Sequence, residues 1–206
     1  MNSAGCPSGQ RERSVKSPAY AFRGSNPLPA TIYIRPLTPE DAPALLAVRL
    51  ANRTFLEPFE PPRPVDFFSL KAQSDQIKAG DFQWRNDQGY AFGVFESDTS
   101  ELVGRVALSN IVRGSWHNAT LGYFITQDRG GRGYASAAVR QAVAFGFREA
   151  RLHRVQAGVM PRNRASVRVL ERNGFRHEGF APRYLNINGT WEDHDLYAIT
   201  VEEWNE

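Results

Sequence analysis

Apolar residues recur along this chain in two rhythms, one of about 3.6 residues and one of 2, and their alternation predicts the element order. Residues 31–37, TIYIRPL, read as a strand. Thr38-Pro39-Glu40-Asp41 has the make-up of a helix start, with a hydroxyl at the N-cap, proline at the first helical position and acids in the first turn. Leu45, Val48, Ala51 and Phe55 follow at helical spacing, so this helix is expected to run to about Leu56. A proline-stiffened loop, EPFEPPRP, comes next and carries Glu57 and Glu60. A second helix is predicted over residues 69–79. Residues 89–96, 101–112 and 119–125 are three strands with short connections, which predicts an antiparallel meander. A glycine-rich turn leads into a helix with Val139, Val143 and Phe147 on one stripe. Then come a strand with Val155, Ala157 and Val159 facing inward, and a helix from Asn163 as N-cap to Gly174 as its stop. The chain closes with a hairpin whose turn is Asn188-Gly189. A Rossmann fold needs repeated βαβ units, so this order predicts instead an α+β single domain with a mixed, mostly antiparallel sheet.

Composition narrows the picture further. Residues 1–30 are rich in Ser, Gly, Pro and Arg without hydrophobic period, and predict a mobile tail ahead of a domain over residues 31–206. There is no apolar run near 18 residues, which argues against a transmembrane helix, and no apolar core of a secretory signal, so a cytoplasmic setting is expected. The single cysteine, Cys6, excludes an internal disulfide, and no Cys/His spacing suggests a metal site. The formal net charge of +3 says little about nucleic acid, although 22 of the 25 basic residues are Arg.

The strand, turn and helix of residues 122–143 carry the first chemical signal. The unpaired backbone N–H groups of Gly131, Arg132, Gly133, Tyr134 and Ala135 fall at a helix N-terminus, where orphan donors and the positive end of the helix dipole favour anions. No GK[ST] follows, and Ser136 stands where a dinucleotide fingerprint needs its third glycine. On this stretch alone, a pyrophosphate-bearing ligand and a plain strand-to-helix turn remain equally good readings.

The element order, the turn GGRGYA at residues 130–135, PRNRASVRVLERNGF and NGTWEDHDLYA together resemble the GNAT N-acetyltransferases. Within them, LEPFEPP, SNIVRGSWHNATLGYFI and RYLNINGTWEDHDLYAIT resemble the ribosomal-protein-alanine acetyltransferases of the RimJ/RimL type, over roughly residues 32–204. Gly130 stands where the family's pyrophosphate motif has Gln or Arg, which removes one side-chain contact and leaves the backbone donors. The resemblance implies acetyl-CoA as co-substrate and no metal. Its pyrophosphate would rest on the amides of Gly131, Arg132, Gly133, Tyr134 and Ala135, and its pantetheine along Tyr123, Phe124 and Ile125 where two strands part. A backbone N–H near Phe124 or Ile125 would meet the acetyl oxygen.

It also implies roles for side chains. Asn163 and Ser166 would reach the pantetheine arm and the thioester sulfur, with Ser166 serving the departing thiolate. Both residues also suit plain helix capping. Tyr184 is a second acid candidate and would otherwise be a packing aromatic. Glu60 is the first choice of base, acting through water, ahead of Glu57, Asp193 and His194. An N-terminal amine, with a pKa of about 8, needs little help to become neutral. Arg164, Arg168 and Arg172 share one helix face and could meet the CoA 3′-phosphate, a ribosomal or RNA surface, or only solvent.

The expected reaction is therefore acetyl transfer to a protein N-terminal α-amine, the alanine of a ribosomal protein, by direct attack in a ternary complex. A small-molecule acceptor such as a polyamine would call for a closed acidic pocket near Glu57, Glu60 and Asp193. A peptide would need an open groove between the Pro61 loop and the final hairpin. A non-catalytic CoA-binding or ribosome-associated module is the third reading. Monomer and homodimer fit equally well.

Overall fold

A computed structural model describes residues 32–205; the expected tail of residues 1–30, with Cys6, lies outside them. The order of elements is β1 (Ile32–Pro36), α1 (Ala42–Ala51), α2 (Arg53–Leu56), α3 (Leu70–Arg85), β2 (Tyr90–Glu96), β3 (Leu102–Val112), β4 (Asn118–Ile125), α4 (Tyr134–Arg148), β5 (Arg154–Val159), α5 (Arg164–Arg172), β6 (Arg176–Ile187) and β7 (Thr190–Thr200). The strands form one seven-stranded sheet in the order β1-β2-β3-β4-β5-β7-β6, antiparallel at every step except β4 to β5. This is the α+β arrangement that the element order predicts.

Strand alternation divides the core in two, one half on each face of the sheet. On one face, Ala138, Val139, Ala142 and Val143 of α4 meet Ile34, Phe92, Val106, Leu108, Leu121 and Val155. Burial of a valine of this kind contributes roughly 1.5–3 kcal/mol. On the other, Ala42 and Leu45 of α1 and Ile77 of α3 pack on Phe95 and Leu102. Val94 and Phe95, adjacent in sequence, thus feed opposite cores.

Two helices differ from expectation. The first is broken: Asn52 turns its side-chain amide back onto the Val48 carbonyl at 2.9 Å, and α1 ends there before α2 resumes. The second continues six residues past Ala79, because Trp84 packs edge-on against Tyr90 and Phe92 at 5.0 Å between ring centres. Ser69 caps it as its residue type suggests, accepting from the Ala72 N–H at 3.2 Å. The turn at Asn188-Gly189 has positive φ at both residues, 45° and 85°, as a two-residue hairpin of this sequence requires.

Candidate active site

The feature that makes a site out of this sheet is a failure of pairing. β4 and β5 run together only where Asn118, Ala119 and Thr120 face Arg154, Val155 and Gln156, and beyond Thr120 they part. On the other edge of β4, the Thr126 N–H donates to the Val103 carbonyl at 2.8 Å. The antiparallel alternation then turns the backbone of Phe124 toward β3 and that of Tyr123 and Ile125 toward the gap. A cleft of about 360 Å³ opens there, lined among others by Tyr123, Phe124, Gly158, Asn163, Ser166, Glu60 and His194. β4 therefore presents consecutive side chains to the two faces of one cleft.

The glycine turn lies at the C-terminal end of β4. Gly131 and Gly133 have φ of 75° and 81°, values that cost L-residues about 1–2 kcal/mol, and a side chain at either would meet nothing within 4 Å. Backbone conformation, not space, demands glycine here. Gly133 is the N-cap of α4 and supplies no side-chain acceptor, so the first-turn amides of Tyr134 and Ala135 lack a cap. Gly131, Arg132 and Gly133 are exposed. The turn is pinned from behind: Glu96 accepts from the Tyr134 hydroxyl at 2.9 Å and from the Arg129 guanidinium at 2.8 Å, and these partners hold its carboxyl below the usual range. The Gln127 N–H also donates to the Asn52 side chain at 2.8 Å, tying the α1–α2 break to this turn.

Toward α5, the Ser166 hydroxyl lies 2.7 Å from the Tyr123 hydroxyl. Asn163 caps α5 through its side-chain oxygen, which accepts from the Ser166 N–H at 3.1 Å. The capping role and the placement of Ser166 in the cleft hold together. Burial pushes the Tyr123 phenol up to about 12, against a smaller opposing effect of its bond to Ser166, so it stays protonated at neutral pH. Tyr184 stands at the rim, half-exposed, its ring over Gly158 and 5.7 Å from that of His194. His194 is buried in the cleft wall with Nδ1 3.0 Å from the Glu192 carbonyl. Asp193, on the opposite face of β7, is exposed and accepts from the Arg183 N–H at 2.7 Å. Arg164, Arg168 and Arg172 are all exposed.

The opposite side of the cleft is charged. Glu60 accepts from Arg49 at 2.7 Å, and its second oxygen lies 3.5 Å from Arg63. The Arg49 guanidinium also lies 4.2 Å from the centre of the Phe124 ring. The Asn188 N–H of the hairpin turn donates to the Glu60 carbonyl at 3.1 Å, so the loop and the hairpin are bridged at that point, where a peptide was expected to need an open groove. Glu57 is exposed beside Arg53 in a side pocket. The wall that a polyamine acceptor would require to be acidic carries Arg49, Arg63 and Arg105 against the one carboxylate of Glu60.

Residues 31–176 match the family described as an acetyltransferase (GNAT) domain. The chain belongs to the GNAT acetyltransferases. It is 42% identical over 169 residues to the probable N-acetyltransferase YjcK of Bacillus subtilis, covering 82% of this chain and 93% of that one. It is 38% identical over 175 residues to the [ribosomal protein uS5]-alanine N-acetyltransferase of Escherichia coli, covering 84% and 89%. The solved structure of Mycobacterium smegmatis RimJ in complex with CoA-disulfide superposes with a TM-score of 0.81 at 34% identity, over 86% of each chain.

In this GNAT domain the glycine turn, the β4 strand and the start of α5 are legible in the sequence, and the charged wall is not. Arg49 sits on the buried stripe of α1 between apolar residues, where periodicity marks a position as core without telling what it does. Arg105 lies in the middle of an apolar strand run, and that local conflict was the available signal. The meeting of the Tyr123 and Ser166 hydroxyls is not legible in the sequence either, because the two lie 43 positions apart. Among the described residues no group of acidic, His or Cys side chains is placed to hold a metal ion. No helix among them is long and apolar enough to cross a membrane.

Proposed function

We propose that this GNAT N-acetyltransferase transfers acetyl from acetyl-CoA to a protein N-terminal α-amine, that of an N-terminal alanine in a ribosomal protein made in the same cytoplasm. The observation that carries the reading is the single cleft through the β4–β5 gap, with a hydroxyl pair on one side and a fixed carboxylate on the other. The likeness to the uS5-alanine enzyme of Escherichia coli points to the acceptor.

Each group then has a task. The amides of Gly131, Arg132, Gly133, Tyr134 and Ala135 hold the pyrophosphate, which fits the open, uncapped helix start. The gap-facing backbone of Tyr123 and Ile125 binds the pantetheine arm, and an N–H there meets the acetyl oxygen as negative charge develops on it. Attack by the neutral amine forms the C–N bond and breaks the C–S bond. The Ser166 hydroxyl, backed by the protonated Tyr123, donates to the departing thiolate. Tyr184, whose ring lies beside that of His194, is the second donor to the thiolate in this reading. Glu60 takes the proton released by the amine through a water. The guanidiniums around it disfavour an ammonium in the cleft and so raise the neutral fraction of the acceptor.

The bridge between Asn188 and Glu60 favours a second reading, in which a compact amine replaces a peptide. CoA release with an Ala-starting peptide lacking Lys, an N-blocked peptide containing Lys, spermidine and free alanine separates them. Turnover confined to the first peptide is the expected result. Turnover confined to alanine or spermidine would move the chain to small-molecule acceptors, and CoA binding without any turnover would leave a binding module.

A further inference from the structure

The arginines of the cleft are out of balance with their partners. Arg49 is only 3% exposed, and besides its bond to Glu60 its Nε is buried with no acceptor. Arg105 is partly buried and lines the cleft, and its side chain makes no hydrogen bond or ion pair among the described residues. Burial first, then Arg49 and Arg63, push its pKa down to about 10, with Glu60 opposing, so it remains a cation at neutral pH. Glu60 already serves Arg49 and lies near Arg63. A guanidinium largely withdrawn from water without an acceptor of its own is costly, and such groups are ordinarily satisfied by something.

Position identifies what satisfies it. Arg105 is the cross-strand partner of Phe124, with backbones about 5 Å apart in such pairs, and both side chains share the face that Arg49 covers. Tyr123 points to the other face, toward Ser166. The unpaired cation, Arg105, and its neighbour Arg49 therefore lie beside the reacting centre on the acceptor side. We propose that Arg105 and Arg49, with Arg63 at the rim, form an anion subsite that selects acceptors carrying a carboxylate close to the reacting amine. In a peptide, at about 3.3 Å per extended residue, that carboxylate belongs to an acidic side chain at the second to fourth position. In a compact acceptor it is the α-carboxylate of an amino acid. The subsite rests on the acetyl-transfer reading and gives it a substrate class.

The test compares kcat/KM of the full chain for Lys-free, Ala-starting peptides with Glu or Gln at positions 2, 3 and 4, and for alanine against alaninamide. One charge-assisted contact predicts a preference of about tenfold or more for the acidic member of one pair, falling to about one in Arg105→Gln. Preference within the peptides assigns the carboxylate to a side chain. Preference for alanine over its amide assigns it to a small acceptor and keeps the subsite while the protein-terminus reading fails. Equal rates within every pair, or a preference that survives Arg105→Gln, overturn the proposal. So does a raised KM for acetyl-CoA with the Glu-to-Gln ratio untouched, which would put the guanidinium on the cofactor. If no acceptor turns over, calorimetric binding of the N-acetylated Glu and Gln peptides to the CoA-loaded protein decides: equal affinities overturn the subsite, and an Arg105-dependent preference for Glu supports it. Should Arg105→Gln not fold, Arg63→Gln at the rim carries the same comparison.

Discussion

The two sides of β4 solve opposite problems. Toward α4 and α5 the polar side chains are satisfied and only backbone groups are left open: Ser166 is bonded to Tyr123, Asn163 to the Ser166 N–H, and the glycine turn is braced by Glu96. Toward α1 and the proline loop, three guanidiniums face one carboxylate, which Arg49 and Arg63 share while Arg105 has no side-chain partner. On the proposed function, the side that holds the same co-substrate in every turnover can be built with its side chains already paired. A side that must exchange acceptors keeps charge in reserve for them. The contrast follows from alternation, because Tyr123 and Phe124 are neighbours in sequence and face different halves of the cleft.

The strongest challenge to this contrast strikes the strand both sides share. A Cβ at Gly104 would fall 2.4 Å from the Phe124 carbonyl oxygen, so Gly104→Ala must displace β4 itself. It should cost about 3 kcal/mol, or roughly 6–12 °C in Tm, and depress turnover and CoA binding together. Loss of only one of these would show that the two sides are not coupled through β4.

Glu60→Gln comes next. It leaves Arg49 buried with a neutral partner, and breaking such a pair costs about 3 kcal/mol. kcat should also fall at neutral pH. The pair Arg49→Met/Glu60→Gln should regain most of the Tm but not kcat if the carboxylate handles a proton, whereas recovery of both would leave Glu60 a purely structural role.

On the satisfied side the effects are smaller and separable. Ser166→Ala should lower kcat about tenfold with little change in KM for acetyl-CoA, since in the proposed mechanism the lost donor acts on the leaving thiolate. Tyr123→Phe should lower kcat less. Tyr123 has its pKa raised from 10.0 to about 12, so the stability it contributes is fully present below pH 10 and is lost as pH rises through 12. The alkaline fall in Tm should therefore be shallower in Tyr123→Phe than in the parent. Smallest of all, Asn163→Ala should cost about 1 kcal/mol through the α5 cap, read as a Tm shift of a few degrees.

The sequence by itself determined the local part of this protein. Periodicity gave the strands and most helix limits, the positive-φ glycines marked the turn before α4, and Asn163 announced a helix start. These are decided by interactions within a few residues, which spacing and residue type encode directly. Only the tertiary structure decided what spacing cannot reach. Asn52 breaks the first helix at the point where it also binds the glycine turn, and Trp84 lengthens α3 by packing on β2. Arg49, Glu60 and Arg105, from three separate segments, become one charged wall because the sheet brings α1, the proline loop and β3 to a single gap. Whether a buried arginine is paired depends on that meeting, and no window of sequence contains all of its members.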